Sequence, residues 1–142
     1  MKNTFGSALC LTIFGESHGA GVGAVLDGMA AGVPVDPAAL AALMDKRRAR
    51  GDGLSTARVE ADEVRILSGV VNGRTTGTPI TLLIENHNTR SGDYAATAAL
   101  LRPGHADYTA YARYRGWQDV RGGGHFSGRI TAGLVAGGGV VL

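Results

Sequence analysis

The stretch Phe14-Gly15-Glu16-Ser17-His18-Gly19 packs a carboxylate, a hydroxyl and an imidazole between two glycines, directly after the apolar run Ala8-Leu9-Cys10-Leu11-Thr12-Ile13. Glycine lets the backbone turn sharply and approach a ligand closely. An imidazole exchanges its proton near neutral pH. A histidine in isolation is more often structural than catalytic, but no bulky neighbour shields His18. His105 has a similar setting in Arg102-Pro103-Gly104-His105-Ala106-Asp107-Tyr108-Thr109. There the proline and glycine fix a turn, and Asp107 is placed to orient or charge the ring. Two histidines held this way could serve as general acids. His87, in a polar stretch, reads as a surface residue.

Anion binding is the second chemistry within reach. Of the 14 basic residues, 12 are arginine, whose planar fork grips phosphate and carboxylate in pairs. Arg47, Arg48 and Arg50 form one cluster, for which a solvated helix end is the simpler reading from spacing alone. Arg121-Gly122-Gly123-Gly124-His125-Phe126-Ser127-Gly128-Arg129 is the stronger candidate, because its glycines expose backbone N–H groups ahead of a helix start. It is not a Walker motif, and no dinucleotide fingerprint follows a strand. No His, Cys or Asp grouping has zinc or calcium spacing, so no metal site is expected. Gly15-Glu16-Ser17-His18-Gly19 matches the form of a serine-hydrolase nucleophile elbow, which requires strand, sharp turn and helix. The residues that follow, Ala20 to Val25, read instead as a strand, and three glycines would weaken a helix start. A serine hydrolase using Ser17 is therefore a lesser alternative.

The elements that must position these groups are legible in outline. Ala8–Ile13 and Val22–Leu26 read as strands, with Asp27-Gly28 as a turn. Asp36 is an N-cap and Pro37 a first helical residue. Leu40, Leu43 and Met44 share a face of that helix, and Lys46, Arg47 and Arg48 crowd its last turn, where the dipole favours cations. Residues 50–56 read as a loop. Val64–Val71 is a strand ending at the hairpin signal Asn72-Gly73, and Ile80–Glu85 is the next strand. Residues 86–94 are polar and irregular, and a short alanine-rich helix follows, ended by Arg102-Pro103-Gly104. Ala106–Arg115 reads as a helix, 121–128 as a loop, and another helix begins over Arg129–Val135. Hairpin strands with separate helices point to an α+β fold.

Composition bounds the rest. The chain has 142 residues, 44% apolar and 18% charged, which suits one globular domain. A net charge of +2 gives no strong field for nucleic acid. No apolar run reaches the ~18 residues of a membrane span, no segment has the layout of a secretory signal, and the single Cys10 excludes an intrachain disulfide. A cytoplasmic location is expected. The 23 glycines, roughly twice average usage, fall in loops rather than in a period. The ending Val135 to Leu142 stays apolar throughout and reads as a chain cut short.

Taken together, the motifs resemble chorismate synthase. Phe14-Gly15-Glu16-Ser17-His18-Gly19 is similar to that family's first signature, and Lys46-Arg47-Arg48 with Leu54 to Asp62 resembles its arginine segment. Ile66-Leu67-Ser68-Gly69-Val70, Thr75-Thr76-Gly77-Thr78-Pro79-Ile80, Asn88 to Tyr94 and Arg102 to Tyr108 follow in the family's order. The family's Pro-Gly is Arg50-Gly51 here, a basic residue near Gly53 is missing, and the glycine loop runs His125-Phe126-Ser127-Gly128-Arg129 where Arg-Ser-Ser-Ala-Arg is commoner.

The resemblance implies a sandwich of helices and antiparallel sheets, here incomplete, with residues 1–142 as the N-terminal part of a single domain truncated at its C-terminus. It implies conversion of 5-enolpyruvylshikimate 3-phosphate to chorismate by 1,4-elimination of phosphate, with reduced FMN, and NADPH as a conceivable reductant. His18 and His105 would be the acids, and Arg47, Arg48 and Arg129 would hold phosphate and carboxylates. His125, Phe126 and Ser127 would contact FMN. The full-length family forms tetramers, so homo-oligomerisation is expected, without nucleic-acid or membrane partners. The rival expectation is an inactive fragment that at most binds phosphorylated ligand.

Overall fold

The computed structural model describes residues 2–48, 61–87 and 100–142. Five antiparallel strands form the main sheet in the order β1-β2-β3-β7-β4. They are β1 (Thr4–Gly6), β2 (Cys10–Gly15), β3 (Gly21–Asp27), β4 (Arg65–Ser68) and β7 (Ile80–Glu85). Strands β3 and β7 are central, and their register sets Val22 opposite Ile84, Ala24 opposite Leu82 and Leu26 opposite Ile80. All six are buried. The period-two alternation of strand side chains turns this one row toward the core.

Two helices cover that face. Helix α1 (Pro37–Arg47) starts as its sequence dictates: the Asp36 carboxylate accepts from the N–H groups of Ala38 at 2.8 Å and Ala39 at 3.3 Å, with Pro37 at the first position. It buries Leu40 and Met44, with Leu43 partly covered. Helix α3 (Thr131–Val141) lies on the sheet and against α1, burying Ala132, Gly133, Ala136, Gly137 and Val140. Its glycines would each weaken an isolated helix by ~1 kcal/mol. They are there for proximity: a Cβ on Gly133 would stand 2.4 Å from the Gly23 carbonyl oxygen, whereas one on Gly138 meets nothing within 4 Å. Gly133→Ala is therefore expected to destabilise by about 1–3 kcal/mol. Gly138→Ala should stabilise by about 0.5–1 kcal/mol. Denaturant unfolding of both variants checks the pair, and equal signs would contradict this packing.

The expected continuous strand over Val64–Val71 is two. Gly69 has φ +79°, and a Cβ there would lie 2.6 Å from Ile80 Cγ1 and 2.7 Å from the Pro79 carbonyl oxygen. The chain bends at this glycine. β4 stays on β7, while β5 (Val70–Val71) pairs with β6 (Arg74–Thr75) in a separate two-stranded sheet. The Asn72-Gly73 turn joins them with both residues at positive φ, 50° and 71°, the primed geometry that suits a tight hairpin. Strand β1 was not foreseen. Helix α2 (Asp107–Tyr114) lies within the expected 106–115, and α3 begins two residues later than Arg129. Cys10 is half-buried, with its thiol donating to the Ser7 carbonyl at 3.2 Å. The loop at 50–56 and the alanine-rich helix lie outside the described residues.

Candidate active site

His18 stands in the turn between β2 and β3. Gly15 closes β2 at φ +98°, a conformation other residues resist. Asn86, just past β7, then pins the turn. Its side-chain amide donates to the carbonyls of Glu16 and Gly19, both at 3.0 Å, and its backbone N–H to Ala20, also at 3.0 Å. The Ser17 hydroxyl lies 3.1 Å from His18 Nδ1, and the Ser17 N–H donates to the Gly124 carbonyl at 3.1 Å. Ser17 is buried, and the chain runs on into the antiparallel strand β3. The strand–turn–helix of a hydrolase elbow is therefore not formed.

His105 stands just ahead of α2. Its Nδ1 lies 2.8 Å from Asp107 Oδ1. Arg102 grips the same carboxylate, with Nε 2.7 Å from Oδ2, Nη2 2.8 Å from Oδ1 and the backbone N–H donating at 3.0 Å. The Arg102 guanidinium holds the Asp107 carboxyl well below the usual range, against the opposing effect of burial and with a smaller contribution from His105. With Nδ1 protonated, His105 donates to this ionised acceptor at 2.8 Å, while Arg102 Nη2 lies 3.3 Å from the same nitrogen. Nε2 is then the nitrogen left for proton transfer.

One loop brings the two histidines together. Residues 121–126 form a tight turn in which Gly122, Gly123 and Gly124 have φ of 57°, 86° and 55°. A Cβ on Gly122 would lie 2.3 Å from His18 Nδ1, and one on Gly123 would lie 2.5 Å from His105 Cε1 and 2.7 Å from Nε2. Consecutive glycines thus seat the two imidazoles. Next to them, His125 Nδ1 donates to the Gly15 carbonyl at 2.8 Å, which makes Nε2 the acceptor nitrogen of the neutral ring. Phe126 sits with its ring centre 6.0 Å from that of Tyr114. The Ser127 hydroxyl accepts from the Arg129 N–H at 3.3 Å and caps the 3-10 turn Gly128–Ile130. Asp119 is clasped by Arg121 at 2.7 Å, and this cation chiefly holds its carboxyl below the usual range, with the His18 charge a lesser influence.

The arginines converge on a residue that the motif reading did not single out. Buried Asp62 accepts from Arg47 through one carboxylate oxygen and from Arg129 through the other. Arg129 also donates from Nε to Asn86 Oδ1 at 3.0 Å, so Asn86 links the His18 turn to the arginine pair. Arg48 does not join them. It pairs with Asp45 on its own helix at 3.0 Å and is 40% exposed, the solvated helix-end arrangement. His87 is on the surface, as expected. The described residues hold no group of three or more His, Cys, Asp or Glu side chains able to bind a metal ion.

The Arg102–Asp107 pair has a pH signature. A carboxyl whose pKa is lowered on folding contributes stability above its unfolded pKa, and loses it as pH falls through the folded value. Arg102→Gln removes the main cause of that lowering. The gap in melting temperature between wild type and Arg102→Gln is expected to narrow as pH falls below about 4. A gap unchanged at about pH 2.5 would contradict the assignment.

A family model described as chorismate synthase matches residues 9–142. The chain belongs to the chorismate synthase family. Among curated relatives, the chorismate synthase of Desulfovibrio desulfuricans is 52% identical over 136 residues, covering 96% of this chain and 37% of its own. That of Campylobacter fetus subsp. fetus is 54% identical over 136 residues, covering 96% and 38%. A crystal structure of chorismate synthase superposes with a TM-score of 0.64 at 31% identity, over 94% of this chain and 32% of that one. The α+β reading of the fold agrees with this neighbour. The chain spans about two fifths of the length of the curated relatives it matches. Among the described residues, no helix is long and apolar enough to cross a membrane.

Proposed function

We propose that this chain acts as the N-terminal part of a chorismate synthase, a lyase of aromatic amino-acid biosynthesis that eliminates phosphate from 5-enolpyruvylshikimate 3-phosphate. The observation that carries the reading is the Gly122-Gly123 turn, which seats His18 and His105 on consecutive residues beside an arginine pair. In the balanced reaction the ring loses one proton and the C–O bond to phosphate breaks, leaving a second ring double bond. His18 gives its proton to the departing phosphate oxygen, where negative charge develops. The Arg47–Arg129 pair supplies the positive charge that a phosphorylated dicarboxylate requires, with Arg47 at the more exposed edge.

The family implies reduced FMN, and the residues here fit one side of such a group. The loop offers an aromatic edge at Phe126, a hydroxyl at Ser127 and the unused Nε2 of His125. As the imidazolium, with its Nδ1–H given to Asp107, His105 would hold a proton on Nε2 for delivery toward it. Reduced FMN would lend an electron transiently and help remove the ring proton, with no net redox change. NADPH as the reductant, a cytoplasmic location and a homotetramer belong to the same proposal.

Calorimetric titration of the 142-residue chain with 5-enolpyruvylshikimate 3-phosphate tests the substrate assignment. Saturable one-site binding, weakened by inorganic phosphate, is the expected result. No heat of binding at millimolar ligand would mean that this chain alone carries no substrate site.

A further inference from the structure

We infer that Asp62 is a positioning residue of the anion site, whose carboxylate fixes Arg47 and Arg129 relative to one another. Arg47 ends helix α1, and Arg129 lies in the turn ahead of α3. Nothing in the local chain brings these two cations together, and two adjacent guanidinium groups repel. Asp62 meets both, one oxygen to each, and its side chain is 2% exposed. A carboxylate so buried is retained only where it is paired.

The backbone adds an independent observation. Asp62 has φ +51°. Among the described residues, the other non-glycine positions with positive φ are Asn72, in a hairpin turn, and Arg115, at a helix end. Asp62 has no such turn to explain it. Aspartate is one of the few side chains that enter this region readily, and here it carries its carboxylate inward between the arginines.

The two arginines then have different tasks. Arg129 is 8% exposed and gives Nε to Asn86, Nη1 to Asp62 and Nη2 to the Glu85 carbonyl at 3.4 Å. Arg47 is 20% exposed, with Nη1 on Asp62 and Nε 3.4 Å from the Thr131 hydroxyl. Arg47 therefore offers its outer edge to an anion, and Arg129 stands behind it as a strut. Asp62 leaves the pair with a net charge of +1 at a fixed spacing, suited to a phosphate or carboxylate that arrives in one orientation. The identity of that anion rests on the proposed function; the bridge does not.

The test uses the 15N-labelled 142-residue chain, with Asp62→Asn and Asp62→Gly. Both replacements tolerate positive φ, so backbone strain is not the variable. In the wild type, the arginine Nη–Hη signals of Arg47 and Arg129 should be dispersed and slow to exchange. In Asp62→Asn both should collapse toward the solvent-exposed arginine position, and affinity for 5-enolpyruvylshikimate 3-phosphate should fall about tenfold. Asp62→Gly leaves room for an external carboxylate. Acetate should restore both arginine signals in it saturably and raise its melting temperature more than that of the wild type, a rescue that a merely structural residue would not show. Unchanged arginine signals in Asp62→Asn, or a folded Asp62→Gly indifferent to acetate, would overturn the inference. Collapsed signals and acetate rescue in a chain that binds no substrate would uphold the bridge while refuting the substrate assignment.

Discussion

His105→Ala is expected to slow turnover by about 10²–10⁴-fold while leaving substrate affinity nearly unchanged. The assay uses a chimera of residues 1–142 with the remaining length of the Desulfovibrio desulfuricans relative, supplied with chemically reduced FMN. The expectation follows from how the ring is held. Asp107 accepts a hydrogen bond from Nδ1–H at 2.8 Å, and Arg102 keeps that carboxylate ionised. Nε2 is thereby left facing Gly123, which has no side chain. A ring fixed this firmly can deliver a proton without reorganising. Its loss should appear in kcat and not in KM, because the Arg47–Arg129 pair, not His105, is assigned to hold the substrate anion. Turnover equal to the parent would remove His105 from the mechanism.

Gly123→Ala should be nearly as damaging, although it removes no functional group. Its new methyl would lie 2.5 Å from His105 Cε1, closer than any real contact, at a φ of 86° that alanine resists. The backbone strain alone is of order 1–3 kcal/mol. The imidazole cannot step aside cheaply, because Asp107 and Arg102 hold its other edge. Displacing it by even ~1 Å should lower kcat about 10²-fold. Gly128→Ala is the control. A Cβ there meets nothing within 4 Å and the residue has no positive φ, so activity should persist. A Gly123→Ala variant with normal kcat would show that the loop does not set the position of His105.

The glycine loop also shows what a sequence does and does not reveal. Its residues read as an anion cradle because glycines expose N–H groups. In the structure Gly122 and Gly123 serve another end, since side chains there would fill the space of His18 and His105. The packing of His18 and His105 against these glycines was not legible in the sequence, because the contact joins residues far apart in the chain. Local chemistry was legible. The Asp36-Pro37 helix start, the Asn72-Gly73 hairpin and the apolar alternation of Ile80–Glu85 each depend on neighbours within a few residues, and each formed as expected. Gly69 broke the expected strand over 64–71 for a non-local reason, the approach of Pro79 and Ile80. Strand β1 escaped notice because three residues carry no period.

The site followed the same division. His18 and His105 announced themselves through their glycine and proline settings. Asp62 and Asn86 did not, because an ion pair or amide bridge across the fold leaves no local pattern. Among the arginines, Arg48 kept to the solvated helix end that spacing favoured, whereas Arg47, one residue earlier, turned inward. A 100° step along a helix decides that difference, and only the packed structure fixes which side faces the core.

Anaerobic chorismate formation by the chimera of residues 1–142 with the rest of the Desulfovibrio desulfuricans relative is the most direct test of the central claim. With 5-enolpyruvylshikimate 3-phosphate and reduced FMN, the account predicts steady chorismate release that His18→Ala and His105→Ala each suppress. A folded, FMN-binding chimera that releases no chorismate, or one that both histidine variants leave at full rate, would contradict it.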